Sequence, residues 1–248
     1  MYFNNVHILY YVLFGLVGLL IGHFMNWCNH RLPEYKKVFS KDFRKEKVKP
    51  NYWMMLANAG LYIALLYCFG IDTTSWMGNL ELIKFLILTP MLTSVFAIDY
   101  KHQIIPNRLS LTLFELGLIF TFIYGLTNIN IAVDMLLGML VGGGIFLLIT
   151  LIGGLIAGKE AMGFGDVKLM GALGLIFGVN QILAIAVMSF LIGAVLSIFL
   201  LVTKIKKTSD YIPFGPFIVL ATIIMMFVPF QAIYVLLLKI FTLGLYHG

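Results

Sequence analysis

Negative charge is scarce in this sequence. Only 11 of its 248 residues are Asp or Glu, and all charged residues together make up 11% of the chain. That scarcity excludes a soluble domain with an ordinary polar surface, and equally a disordered segment solvated by its own charge. Cysteine is nearly absent too. Cys28 and Cys68 are too far apart for a Cys-x-x-Cys pair and too few for a disulfide framework, so no cysteine-ligated zinc site can be built within the chain. The sequence also lacks a His-x-x-x-His pair and a Gly-x-Ser-x-Gly turn, which removes the common zinc and serine hydrolase patterns.

Apolar residues take the place of charge. They make up 61% of the chain, and the mean hydropathy is +0.99. A span needs about 20 apolar residues, and runs of that order recur from end to end. The pattern predicts an all-α polytopic integral membrane protein. Helices are expected at roughly 8–26, 53–70, 80–98, 109–126, 131–157, 167–179, 181–203 and 213–228. That makes eight spans. A last apolar stretch at roughly 231–245, interrupted by Lys239, either forms a ninth or lies along the interface with its lysine reaching for the headgroups. The first run is followed by many others, so it is expected to be a retained span and not a cleaved signal.

The net charge of +6 does not mark a nucleic-acid binder, because the basic residues are distributed loop by loop. The longest polar loop holds Arg31, Lys36, Lys37, Lys41, Arg44, Lys45, Lys47 and Lys49. Alternate later loops hold Lys101 and Arg108, Lys159 and Lys168, then Lys204, Lys206 and Lys207. Only Lys84 and Lys239 fall outside this alternation. The positive-inside rule puts these loops in the cytoplasm and the N-terminus outside. The loop from 30 to 50 is then expected to fix topology and rest on anionic lipid, with docking of a partner as the other reading. Lys84 follows Glu81 by three residues, a spacing that lets the two meet on one helix face.

Against this background one polar interruption stands out: Ala161-Met162-Gly163-Phe164-Gly165-Asp166-Val167-Lys168. Asp166 reads in two ways. It can be a helix N-cap after a glycine turn, or a functional carboxylate at a membrane boundary, where an ionisable group needs a reason to exist. The functional reading requires a second carboxylate at the same depth. Asp99, at the predicted cytoplasmic end of the third span, supplies one. Two carboxyls that approach each other share one proton over an intermediate pH range. The ionised one can take a proton from water while the protonated one polarises a carbonyl, which allows peptide hydrolysis without metal or side-chain nucleophile. Gly163 and Gly165 would let a substrate backbone come close to Asp166. Lys168 is either part of this site or an anchor at a span end. Glu115, inside the fourth span, is left outside the site. Gly138, Gly142, Gly143, Gly144, Gly171 and Gly174 are expected to permit close helix packing.

Four motifs occur in one order along the chain. They are Gly22-His23-Phe24-Met25-Asn26 with Arg31-Leu32-Pro33; Asp99 with Ile105-Pro106-Asn107; Gly158 to Leu169; and Ile212-Pro213-Phe214-Gly215-Pro216-Phe217. Together they closely resemble the type IV prepilin peptidases, aspartyl membrane peptidases of the Gly-x-Gly-Asp type. The resemblance implies an endopeptidase of the bacterial cytoplasmic membrane that removes the basic leader of prepilins or pseudopilins at the cytoplasmic face, in pilus or type II secretion systems. Asp99 and Asp166 fall on the family's catalytic aspartates, and Gly163 and Gly165 on its motif glycines. Lys168, Pro213, Gly215 and Pro216 are then expected to shape the substrate cleft. Residues 1–52 would be a cysteine-free remnant of the family's N-terminal domain, and 53–248 the peptidase domain.

Many members carry two Cys-x-x-Cys pairs in the first cytoplasmic loop and also N-methylate the new pilin terminus. This loop has no cysteine, so zinc is not expected and the peptidase needs no cofactor. S-adenosylmethionine enters only if methyl transfer is retained. The expected partners are the precursor and the lipid bilayer, with no nucleic acid; the oligomeric state is not read from the sequence. Two other readings stand beside this one. A protease resembling signal peptide peptidase or presenilin would carry Tyr-Asp inside a span, whereas here Asp99-Tyr100 ends one. An ion-coupled transporter would place its carboxylates near the midplane and show repeated halves.

Overall fold

Hydrocarbon offers a peptide group no hydrogen-bond partner, so a chain this apolar must satisfy its backbone within each segment, and the α-helix does so. The computed structural model describes residues 2–3, 6–34, 36, 38, 48–72, 76–158, 162–204 and 212–242. Among these, nine α-helices account for nearly everything: α1 (Ile8–Arg31), α2 (Tyr52–Phe69), α3 (Leu80–His102), α4 (Asn107–Gly125), α5 (Ile129–Ala157), α6 (Phe164–Phe177), α7 (Val179–Val202), α8 (Gly215–Phe227) and α9 (Phe230–Phe241). Six of them, α1 to α5 and α7, are long and apolar enough to cross a membrane. The helices α6, α8 and α9, with 14, 13 and 12 residues, are shorter. Every predicted helix is present. Lys37, Lys41, Arg44, Lys45, Lys47, Lys159, Glu160, Ala161, Lys206 and Lys207 lie outside the described residues.

The chain divides into two units, Met1–His102 and Gln103–Gly248. The first opens with a minimal antiparallel hairpin, Tyr2–Phe3 with Val6–His7. The His7 imidazole then caps α1 by accepting the Leu9 N–H at 3.3 Å. Gly18 and Gly22 bring α1 onto α2: a β-carbon on Gly18 would stand 2.6 Å from Ala59 Cα, and one on Gly22 2.7 Å from Met55 Cα. That Gly-x-x-x-Gly spacing lets two backbones touch. Arg31, buried at the end of α1, stacks on Trp27 with its guanidinium carbon 4.6 Å from the ring centroid. Lys84 and Glu81 meet as the spacing predicts, at 2.8 Å.

The α2–α3 contact shows how this unit satisfies its polar groups. Pro90 lies inside α3 and has no N–H, so the Leu86 carbonyl loses its helical donor. The Tyr62 hydroxyl of α2 donates to that carbonyl at 2.7 Å. One turn away, the fully buried Asn58 amide donates to Met54 O at 2.8 Å and to Thr93 Oγ1 at 3.1 Å.

In the second unit α6 is the centre, packed by α4, α5 and α7. Ten of its 14 residues are buried. Its glycines do what close packing requires: Gly174 lies back to back with Gly138 of α5, and a β-carbon on Gly142 would stand 2.6 Å from Met170 O. Gly171 faces Gly143, while Gly144 faces open space. Thr121 of α4 donates to Leu175 O at 3.3 Å. Gly178, with φ of +79°, turns the chain in one residue from α6 into α7. The Asp134 carboxylate of α5 accepts the first N–H of α7, from Val179, at 3.4 Å. An aspartate there complements the positive end of the α7 dipole.

The Pro90 arrangement is testable. Tyr62→Phe leaves the Leu86 carbonyl without its donor and is expected to lower stability by about 1–3 kcal/mol. Pro90→Ala returns an N–H to that carbonyl and should remove the cost. Denaturation in detergent of the two single variants and the double variant measures the coupling; the same Tyr62→Phe loss in both backgrounds would show that the hydroxyl serves no such role.

Candidate active site

Asp166 owes its position to the way α6 starts. Gly163 is the N-cap, in an extended conformation with φ of −70° and ψ of 140°, and its carbonyl accepts the Asp166 N–H at 3.1 Å. Asp166 is thus the third residue of the helix and not its cap, which corrects the N-cap reading. The helix begins at Phe164, three residues earlier than the apolar pattern predicts. From this position the carboxylate bends back over the cap: a β-carbon on Gly163 would lie 3.5 Å from Asp166 Oδ2. The arrangement resembles the acidic arm of a capping box. Asp166 is only 5% exposed.

Two other elements of the second unit close on this start. A β-carbon on Gly165 would meet Ile105 Cβ at 3.1 Å, so glycine is what lets the chain before α4 lie directly against the start of α6. Lys168, one turn on, donates from Nζ to Asn107 Oδ1 at 2.8 Å. The structure therefore joins two sequence motifs, Ile105-Pro106-Asn107 and Gly163 to Lys168, through the packing of the Ile105 side chain on Gly165 and one hydrogen bond. The spacing of the sequence gives no sign of this pairing. Lys168 is exposed and held by Asn107, an arrangement beyond the two roles considered from the sequence.

Asp99 belongs to the first unit. The helix α3 runs to His102, so Asp99 sits inside its last turn and not after its end. Lys101 lies in this last turn, where its positive charge suits the negative helix terminus. Asp99 is 5% exposed, as buried as Asp166. Next to it in the chain, Ala97, Ile98, Lys101 and His102 line a polar cavity of about 120 Å³, together with Asn26, Asn29, His30 and Asn51. In the same unit the Glu34 carboxyl is held below the usual carboxylate range by its hydrogen bond to Lys36 and by that ammonium's charge.

Pro213, Gly215 and Pro216 introduce α8, which begins at Gly215 with the proline in its first turn. The neighbouring Phe214 packs among Phe146 of α5, Phe190 of α7 and Phe217, with ring centroids 5.0 to 6.0 Å apart. A β-carbon on Gly193 of α7 would strike Phe217 at 2.9 Å. This segment is anchored by an aromatic cluster on α5 and α7. Glu115 is exposed on α4.

Comparison with known proteins gives a consistent picture. Residues 86–198 match the family model described as Type IV leader peptidase family. That span contains Asp99, Ile105-Pro106-Asn107 and the whole Gly163 to Lys168 segment. A prepilin leader peptidase/N-methyltransferase of Aeromonas salmonicida is 27% identical, covering 86% of this chain and 89% of that one. The protein of the same name from Legionella pneumophila is 27% identical over 88% and 91% of the two chains. That of Neisseria gonorrhoeae is 37% identical over 53% and 43%. No solved structure matches the chain.

The contact at Ile105 predicts an asymmetry between the two motif glycines. Gly165→Leu must displace Ile105 and is expected to cost about 1–3 kcal/mol, whereas Gly163→Ala meets only ordinary contact and should cost less, about 0.5–1 kcal/mol for the poorer N-cap. Thermal unfolding of both variants in one detergent compares them; equal losses would contradict the assigned packing.

Proposed function

Because the chain belongs to the type IV leader peptidase family, we propose that Asp99 and Asp166 together cleave the basic leader from a prepilin or pseudopilin precursor. The observation that carries this reading is the contact of Ile105 with Gly165. Ile105 follows Asp99 by six positions in the chain and lies against the residue beside Asp166. Both carboxylates are buried, which favours sharing of one proton between them.

In the proposed reaction the ionised carboxylate takes a proton from a water whose oxygen attacks the scissile carbonyl carbon. The protonated carboxyl donates to the carbonyl oxygen, giving a tetrahedral gem-diol. Collapse of that intermediate breaks the C–N bond, with a proton passing to the departing amine, and returns one shared proton to the pair. The two apparent pKa values belong to the pair and not to either residue. Gly163 leaves room for an extended substrate backbone, Gly165 shapes the site by admitting Ile105 beside Asp166, and Lys168, Pro213, Gly215 and Pro216 shape its surroundings.

The proposed topology has eight spans, α1 to α8, with the N-terminus outside and the site at the cytoplasmic face of a bacterial inner membrane. The alternation of basic loops supports it. The short α9, about 18 Å long at 1.5 Å per residue, lies along the interface with Lys239 toward the headgroups. Residues 1–52 form the reduced N-terminal part and 53–248 the peptidase domain. The first loop has no cysteine, and the peptidase chemistry draws on no zinc.

The relatives' name also includes methyl transfer. The polar cavity of about 120 Å³ is well below the roughly 300 Å³ at which small-molecule sites begin. The larger groove beside α6 is walled mainly by apolar side chains. S-adenosylmethionine is needed only if methyl transfer is retained, and the product mass in the test below decides that.

The test is incubation of the detergent-purified protein with a prepilin-like precursor, with and without S-adenosylmethionine, reading the product terminus by mass spectrometry. A new N-terminus directly after the leader is expected. Asp99→Asn and Asp166→Asn should each abolish it, a loss of at least 10³-fold by analogy with catalytic dyads, while membrane insertion is unchanged. Residual cleavage by either variant would sink the dyad, and an added methyl mass would assign the second activity to this chain as well.

A further inference from the structure

The second unit carries a groove of about 440 Å³ between α4 and α6, lined also by Met139 of α5. The hydrogen-bonded Asn107 and Lys168 stand at one end. Leu111 and Phe114 form one wall, and the small residues Gly171 and Ala172 leave the space open on the other. One lining group does not belong in an apolar groove. Ser110 is 5% exposed, and its buried Oγ has no hydrogen-bond partner.

A serine inside a helix ordinarily donates to the carbonyl four residues back, as the nearby Thr112 does to Arg108 O at 2.9 Å. For Ser110 that carbonyl is Pro106 O, which already accepts the N–H groups of Leu109 at 3.0 Å and Ser110 at 3.2 Å. The hydroxyl is left for whatever enters the groove.

We propose that the groove receives the first turn of the precursor's own apolar helix, directly C-terminal to the scissile bond, and that Ser110 accepts a hydrogen bond from a backbone N–H of that turn. The proposal rests on the peptidase reading. A peptide bond at Asp166 must be extended to be cut, so the substrate helix starts just beyond it. The first four N–H groups of any helix lack internal acceptors, and at membrane depth they need one from the enzyme. The groove begins two residues from Asp166 on the same helix and offers both an apolar bed and that acceptor. A lipid acyl chain would fill the bed but brings no donor for Ser110.

The test uses the full chain in detergent and a precursor with a basic leader and one apolar helix. Ser110→Ala is expected to raise KM about fivefold with kcat within twofold, while its thermal midpoint does not fall, since an unsatisfied buried hydroxyl has been removed. Ser110→Thr should restore KM. Leu111→Trp, at a position 58% exposed, narrows the groove from outside the core and should raise KM about tenfold. KM within twofold of wild type for both Ser110→Ala and Leu111→Trp overturns the proposal.

A photoreactive benzophenone side chain at position 111 of the Asp166→Asn protein gives a readout that does not need cleavage. Crosslinks within the first turn after the scissile bond support the groove; crosslinks to the leader, to lipid or to nothing overturn it. A precursor that crosslinks there but is never cut by wild type removes the peptidase reading and keeps the groove. Cutting with unchanged KM and no such crosslink does the reverse.

Discussion

The structure depends on one constraint: inside hydrocarbon, every backbone polar group must find its partner within the protein. The constraint turns the apolar runs into helices and explains the departures from plain helical bonding. Where Pro90 breaks the ladder of α3, Tyr62 reaches across from α2 to the carbonyl left behind. Where Asn58 is fully buried, it bonds to Met54 O and Thr93. Ser110 is informative because it departs from this economy of partners.

The constraint also leaves glycine as the means of bringing helices together, because lipid gives no hydrophobic drive for one apolar helix to prefer another. In the second unit this produces a layered dependence. Gly138 against Gly174 seats α6 on α5, the seated α6 presents its first turn to the segment before α4, and Gly165 admits Ile105 to that turn. The Asp166 carboxylate is held at the end of this series, folded over Gly163, by contacts that lie mostly far from it in the chain.

The helices were legible in the sequence because apolar runs and alternating basic loops are local signals. Their ends were less so. The polar tail Tyr100-Lys101-His102 stays helical, which places Asp99 within α3, and α6 starts before its apolar run because Gly163 makes a good cap. Motif order made Asp99, Gly163, Gly165 and Asp166 readable as candidates, and the family comparison covers that same region. The pairings of Gly165 with Ile105 and Lys168 with Asn107 were not readable, since they join residues about 60 positions apart. Neither Ser110 nor Asp134 carried a signal. A serine in an apolar run and an aspartate near a span end look ordinary until the neighbouring helix is in place.

The shortness of α6 reaches beyond its packing. At 14 residues it is about 21 Å long, against a hydrocarbon core of about 30 Å. Its neighbours α5 and α7, with 29 and 24 residues, are about 44 Å and 36 Å long, so a short helix enclosed between them need not itself match the bilayer. Its start can then sit wherever packing against α5 places it, and Asp166, 5% exposed there, is walled by protein.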